Sequence, residues 1–185
     1  MQLSKFEYYA DYVAYPIVIV TLAATASVGN GVHDEFLWCG AMFGGFALWS
    51  LLEYWAHRTA LHHMPYFIPM HDLHHAAPLA YVGTPTWFSM LVLGTTIFAP
   101  AWGAFGFNVG SGLFVGVTAG YFWYGSVHHL IHHRPNLFRL GILRSLRMRH
   151  LRHHYSPKIG NFGVTTALWD HVFGTAIPVE SPARH

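Results

Sequence analysis

Charge is what this sequence has least of. Asp, Glu, Lys and Arg make up 10% of its 185 residues, against about 25% in an ordinary soluble domain. A chain so poor in charge is expected to meet a solvent less polar than water. Cysteine is nearly missing as well, and the single Cys39 excludes a disulfide framework and any Cys-based zinc site. A net charge of +2 is too small to point to nucleic acid. A secretory leader is not indicated either. Residues Gln2 to Asp11 are mixed in charge, and the apolar run that follows, interrupted by Pro16, is too long for a signal-peptide core. What is abundant is apolar surface, 53% of residues with 17% aromatic, which excludes disorder. The length fits one domain, residues 1–185.

Long gaps between charges locate the apolar segments. Tyr12 to Val32 and Phe36 to Leu52 are two, separated by His33, Asp34 and Glu35, and they read as a helical hairpin. Leu73 to His133 is a third, 61 residues without a formal charge. That is room for two spans of about 20 residues each. They are expected at Trp87 to Phe105 and Ser111 to His132, with a turn near Phe107-Asn108-Val109-Gly110. Four spans put Lys5, Arg58 and everything from Arg134 onward on one side, which gathers all 10 Lys and Arg residues there. The positive side is the cytoplasmic one. Gly112, Gly116 and Gly120 recur every fourth residue, a spacing that lets two helix backbones approach in lipid, here within one chain. Leu137 to Met148 alternates Leu with Arg and is expected to lie at the membrane surface.

Histidine is the anomaly, with 16 residues. Thirteen fall in three windows, His57 to His75, His128 to His133 and His150 to His154. The spacings are His57-x4-His62, His71-x2-His74-His75, His128-x3-His132 and His150-x2-His153-His154. Residues at i, i+3 and i+4 share a helix face, so each His-x-x-His-His run is expected to aim its imidazoles at one point. The two runs are offset by a constant 79 residues, His71 to His150, His74 to His153 and His75 to His154, as if each hairpin supplied half of one site. The four-span topology brings all of these segments to one side. Clustered imidazoles without a cation would leave lone pairs unsatisfied, and these ordered runs hold more than one ion can accept, so two metal ions are expected. A non-enzymatic metal-binding or metal-transport protein, and a membrane haem protein, remain open on these residues alone. The expected fold is all-α, an integral membrane protein with four transmembrane helices and a cytosolic His-rich helical cap.

Five stretches taken together carry a family resemblance. They are His57-Arg58-Thr59-Ala60-Leu61-His62, His71-Asp72-Leu73-His74-His75, Tyr124 to His133, His150-Leu151-Arg152-His153-His154 and the tail Asn161-Phe162-Gly163-Val164-Thr165-Thr166-Ala167-Leu168-Trp169-Asp170. The chain resembles the fatty acid hydroxylase/sterol desaturase superfamily of membrane di-iron enzymes, and within it the fatty-acyl hydroxylases. The resemblance implies two iron ions held by His57, His62, His71, His74, His75, His128, His132, His150, His153 and His154. Tyr124, four residues before His128, favours His128 and His132 over His129 and His133. Asp72, Asp170 and Glu53 are expected to orient imidazoles, and His171 to be structural. The implied reaction is O2-dependent hydroxylation of an unactivated C–H bond of a fatty-acyl or related lipid drawn from the bilayer. Desaturation and carotenoid hydroxylation are alternatives within the superfamily. No His-Pro-Gly-Gly signature of a fused haem donor is present, so electrons are expected from a separate donor protein. Zinc can occupy such a site in a purified protein. The metal site is expected on the cytoplasmic side of a bacterial membrane, or of the endoplasmic reticulum in a eukaryote. The lipid, the carbon attacked and the oligomeric state are not legible.

Overall fold

The structure, a computed structural model, describes residues 1–27 and 32–178. The expected end of the first span at residues 28–31, and Arg184, lie outside the described residues. Among the described residues there is no strand, only an isolated antiparallel bridge between Gln2 and Val82. Ser4 starts the first helix, α1 (Lys5–Tyr9), through a reciprocal cap: its hydroxyl accepts from the Glu7 N–H, and the Glu7 carboxylate accepts from the Ser4 N–H. Next come α2 (Asp11–Ser27) and α3 (Val32–Trp55), the latter running directly into a π-helical turn, Ala56–Leu61. A short α4 (Ile68–Ala76) precedes α5 (Thr86–Leu93), a second π-helical turn (Gly94–Phe98) and α6 (Ala99–His133). A 3-10 turn (Pro135–Phe138), α7 (Gly141–Tyr155) and α8 (Leu168–Val172) complete the order.

Three continuous helical stretches are long and apolar enough to cross a membrane: Lys5–Ala26, Asp34–Leu61 and Thr86–His133. The third is not straight. Gly106 has φ 78° and ψ 169°, a backbone conformation that L residues with a Cβ rarely adopt. Phe98 and Phe114 would stand about 24 Å apart along a straight helix, yet their ring centroids are 5.0 Å apart. A Cβ on Gly110 would come within 2.8 Å of the Trp102 backbone. The chain therefore doubles back at Gly106, and residues 86–105 and 107–133 form two antiparallel arms. The expected turn at Phe107 to Gly110 sits slightly too late. Gly106, not Asn108, supplies the backbone freedom, and the Asn108 side chain instead donates to the Asp34 carbonyl at 2.8 Å.

These four helical segments meet in one core of Tyr15, Trp49, Leu93, Phe114 and Val117, drawn from α2, α3, α5 and α6. Most polar atoms near it are paired, Tyr15 donating to Ser89 at 2.9 Å and Trp38 to Ser111 at 3.1 Å, while the buried Trp49 N–H has no partner. Val13, Ile17, Val20, Phe43, Leu91 and Phe105 face outward, as side chains do in a solvent as apolar as they are. The glycine stripe of α6 is used within the chain. A Cβ on Gly112 would meet the Trp38 carbonyl, one on Gly116 the Met42 carbonyl, and one on Gly120 the Trp49 side chain.

The remaining elements form a cap over one end of the bundle. Val127 and Ile131 of α6 pack with Phe138, Leu146 and Val164 in a second core. Leu146, His150 and His153 are the buried face of α7, at i, i+4 and i+7. The expected surface segment Leu137 to Met148 is split by Gly141 at φ 56°, with Leu140 83% and Ile142 77% exposed beside the break.

Replacing Gly116 by Ala is expected to lower the melting temperature of the detergent-solubilised protein, by the equivalent of about 1–3 kcal/mol of overpacking. Gly44→Ala, whose Cβ meets nothing within 4 Å, should leave it unchanged or slightly raised. Equal melting temperatures for the two variants would contradict the close approach of α3 and α6.

Candidate metal centre

Imidazoles from four elements converge where the cap meets the bundle. One group joins His74 of α4, His128 and His132 of α6, and His150 and His154 of α7. A second joins His57, His62, His71 and His153, and within each group the ligand nitrogens lie within 4.8 Å of one another. His75, the tenth expected residue, lies between them. Its Nε2 is 3.1 Å from that of His153, and its ring stacks on His154 at 4.2 Å. Four other histidines among the described residues are placed elsewhere. His63 is exposed with Nδ1 on the Arg58 carbonyl, His129 shares a hydrogen bond with the Tyr8 hydroxyl, His133 stacks on His129, and His171 is exposed.

The His-x-x-His-His runs do not each point at one place, as expected, but feed both groups. His71 and His153 go to one, His74, His150 and His154 to the other, because residues three apart on α4 and α7 diverge enough to reach different centres. The constant offset of 79 residues exchanges the groups: it carries His71 onto His150 and His74 onto His153. The first half of the chain thus supplies three members of one group and lends His74 to the other, and the second half lends His153 in return.

The x4 spacing of His57 and His62 has a local cause. On an α-helix residues five apart point about 140° away from each other. The turn Ala56–Leu61 is π-helical, with i→i+5 bonding, so the two rings stack at 5.4 Å and 21°.

The loop of residues 160–167 orients two of the rings. His57 Nδ1–H donates to the Phe162 carbonyl at 2.6 Å and His153 Nδ1–H to the Gly160 carbonyl at 2.9 Å. Those bonds put the proton on Nδ1 and leave the Nε2 lone pair facing the group. The loop is held in turn by two buried carboxylates. Asp170 accepts from the N–H groups of Phe162 and Gly163 and from the Thr175 hydroxyl. Glu53 accepts from the N–H groups of Val164 and Thr165 and from the Thr165 hydroxyl. Both were expected to orient imidazoles; they bond the backbone that the rings bond, and neither has a hydrogen bond to an imidazole among the described residues. Asp72 is exposed, with no hydrogen bond to an imidazole among the described residues. Its neighbour His71 is buried, and adjacent residues on α4 point about 100° apart.

Asn161 was not singled out from the sequence. It takes φ 55°, bonds the Arg149 carbonyl through its amide, and accepts from Ile177 N–H. The signal was Asn followed two residues later by Gly, since Asn tolerates the left-handed conformation. At Gly163 a Cβ would strike the Thr166 carbonyl.

Lone pairs meet lone pairs across these groups. Nε2 of His57 and His71 are 3.0 Å apart, and Nε2 of His150 is 2.8 Å from that of His132 and 3.0 Å from that of His154. Nitrogens that share one ion at about 2.0–2.1 Å sit about 3 Å from each other. Nε2 of His62 and His74 and Nδ1 of His150 and His154 are buried without a partner. A cation in each group answers the close Nε2 pairs and the orphaned Nε2 of His62 and His74, so the residues fit a metal pair. Burial, and then the neighbouring imidazoles, hold His62 down to about 4 and His74 to about 3. Burial also lowers His153 to about 3, against the opposing bond to Gly160. These three rings are therefore neutral at pH 7.

The fatty acid hydroxylase family profile matches residues 42–175, which contain every one of these imidazoles. This chain belongs to the fatty acid hydroxylase family. Among its relatives, the ceramide very long chain fatty acid hydroxylase SCS7 of Saccharomyces cerevisiae is 30% identical over 97% of this chain and 48% of its own length. The fatty acid 2-hydroxylase of Homo sapiens is 32% identical over 74% of this chain and 39% of its own length. A dihydroceramide fatty acyl 2-hydroxylase of Arabidopsis thaliana is 26% identical, covering 91% and 73%. A solved structure of full-length Scs7p, with only its hydroxylase domain visible, superposes with a TM-score of 0.75 at 26% identity over 95% of this chain and 68% of that one. The chain of this fatty acid hydroxylase family member spans less than half the length of the yeast and human relatives.

Because the folded protein holds His62, His74 and His153 below the ordinary histidine value, the unfolded chain binds more protons in between. The stability they contribute is complete above about pH 6.5 and is lost as the pH falls toward their folded values of about 4 and 3. The melting temperature of metal-stripped protein is expected to fall steadily over that interval. A flat profile there would contradict the burial of neutral rings.

Proposed function

We propose that this protein is a membrane lipid hydroxylase that inserts a hydroxyl group into the acyl chain of a fatty-acyl or ceramide-type lipid. One observation carries the reading. A cavity of about 490 Å³ is lined by His57, His71, His74, His128 and His150 and, for the greater part, by apolar residues such as Trp49, Leu52, Phe88, Val92, Leu93 and Ile97, with Asp11 and Glu53 also in its wall. Its size is in the range of small-molecule sites. Imidazoles of both groups thus border a space whose mostly apolar walls suit a hydrocarbon. The names of the relatives, hydroxylases of fatty acids and ceramides, favour the same substrate class.

In this reading the ten histidines named from the sequence hold two iron ions, with His75 at the boundary of the groups. The chemistry such a pair supplies when bound is O2-dependent oxidation of an unactivated C–H bond, with electrons from a separate donor protein. The rest falls to the chain itself. Phe162 and Gly160 hold the rings of His57 and His153, Glu53 and Asp170 hold the loop, and the apolar walls exclude water and align one methylene with the imidazoles. We further read α2, α3 and the two arms on either side of Gly106 as four spans of a single domain. The cap then faces the cytoplasm, since Lys5, Arg58 and the basic residues of α7 gather at its end.

The test is direct: load the protein with iron anaerobically, add reductant, O2 and a membrane-lipid extract, and read products by mass spectrometry. The expected product gains one oxygen; a product that loses two hydrogens would make the protein a desaturase, and no product would sink the reading. His74→Ala and His153→Ala, one from each group, should abolish metal retention and turnover together, while His63→Ala should keep both. Asp170→Ala should weaken metal retention by about 10- to 100-fold by freeing the loop. Undiminished retention would show that the loop does not orient the rings.

A further inference from the structure

Beyond the imidazole site the cap contains a second cavity of about 810 Å³, between α7 and the chain on either side of α8. Arg144, Arg149, Arg152 and Ser145 line it from α7, and Asn161, Asp170 and His171 face them. Three guanidiniums drawn to one cleft repel one another, and an ordinary protein surface would offset them with carboxylates. Here the carboxylate that lines the cleft, Asp170, is already taken up by the 160–167 loop and Thr175. Arg149 Nε and Nη1 are shut off from solvent and have no hydrogen-bond partner. Two carboxylates favour its charge, Asp170 in the same lining and Glu53. Both are already committed to the 160–167 loop, Asp170 to Phe162, Gly163 and Thr175, and Glu53 to Val164 and Thr165.

Three guanidiniums lining one cleft, one of them with N–H groups that no protein acceptor takes, supply charge and planar donors that suit the oxygens of a phosphate. We propose that this cleft binds a phosphate group, carried by the headgroup of an anionic lipid or by a soluble phosphorylated molecule. The inference does not rest on the hydroxylase reading. Leu140 and Ile142, exposed at the start of the same helix, would set a lipid headgroup at this depth. A bound phosphate would also tie α7 to the loop opposite, because the Arg149 carbonyl already accepts from Asn161 at 3.2 Å. Occupancy would then stiffen the helix that carries His150 and His153.

The experiment uses the full chain, loaded with metal, in nanodiscs of phosphatidylcholine with and without a minor share of phosphatidic acid. Lipid kept through detergent exchange is read by native mass spectrometry. In neutral nanodiscs, inorganic phosphate is titrated against chloride at equal ionic strength and the melting temperature recorded. Selective retention of phosphatidic acid assigns a lipid headgroup; a saturable rise with phosphate alone assigns a soluble ligand; either supports the site. Arg149→Gln and Arg152→Gln should weaken that binding about tenfold or more, while Arg139→Gln, outside the cleft, should not. Arg149→Lys, which keeps the charge but loses the planar fork, should bind less well than the parent. Should Arg149→Gln lose its metal or helical signal, Arg152→Gln and Arg144→Gln decide in its place. Equal loss on Arg139→Gln would reduce the effect to diffuse surface charge, and no response to either probe would remove the site.

Discussion

A neutral imidazole has one lone pair, and the nitrogen that keeps the proton decides where it points. In this protein two backbone carbonyls, of Gly160 and Phe162, make that choice for His153 and His57. Everything else in the cap keeps those carbonyls still. The left-handed Asn161, the close turn at Gly163 and the carboxylates of Glu53 and Asp170 all act on the same few peptide groups. A tail far along the chain from the first histidines therefore belongs to the same centre, and its pattern of Asn, Gly and Asp follows from what the backbone must do.

The bundle contributes in a different way. With hydrocarbon outside, apolar burial does little to hold the spans together, so backbone proximity and paired polar atoms take over. The α6 glycines let α3 approach, which brings the ends of these two helices, and hence His57 and His128, to the lining of one cavity. The exchange of His74 and His153 between the groups then links the two halves. Neither group is complete without a ring from the other half.

Much of this was legible beforehand, for physical reasons. Charge-free runs mark apolar helices whatever their packing, and imidazoles in ordered spacings mark a site whatever its geometry. What was not legible depends on contacts between distant segments. Glu53 lies one turn from His57, so local spacing proposed a bond to that ring. The structure has the carboxylate on amides more than a hundred residues away, at Val164 and Thr165. The division of each His-x-x-His-His run between two centres is hidden similarly, because helical periodicity says which residues share a face but not how many targets that face confronts. The reversal at Gly106 was misplaced by a residue or more because Asn108 and Gly110 carry equally strong turn chemistry, and only the packing of Trp102 on Gly110 separates them.

The π-helical turn at Ala56–Leu61 lets one continuous rod satisfy two masters. Above it, the sequence of α3 is phased to its neighbours in the bundle; below it, the side chains are phased to the rings of the cap. One surplus residue wound into the rod resets the angular register between these two regions without a loop or a break in the backbone hydrogen bonding. The membrane-facing and ring-facing parts of α3 are thus free to vary their sequence periods independently, as long as that extra residue stays between them.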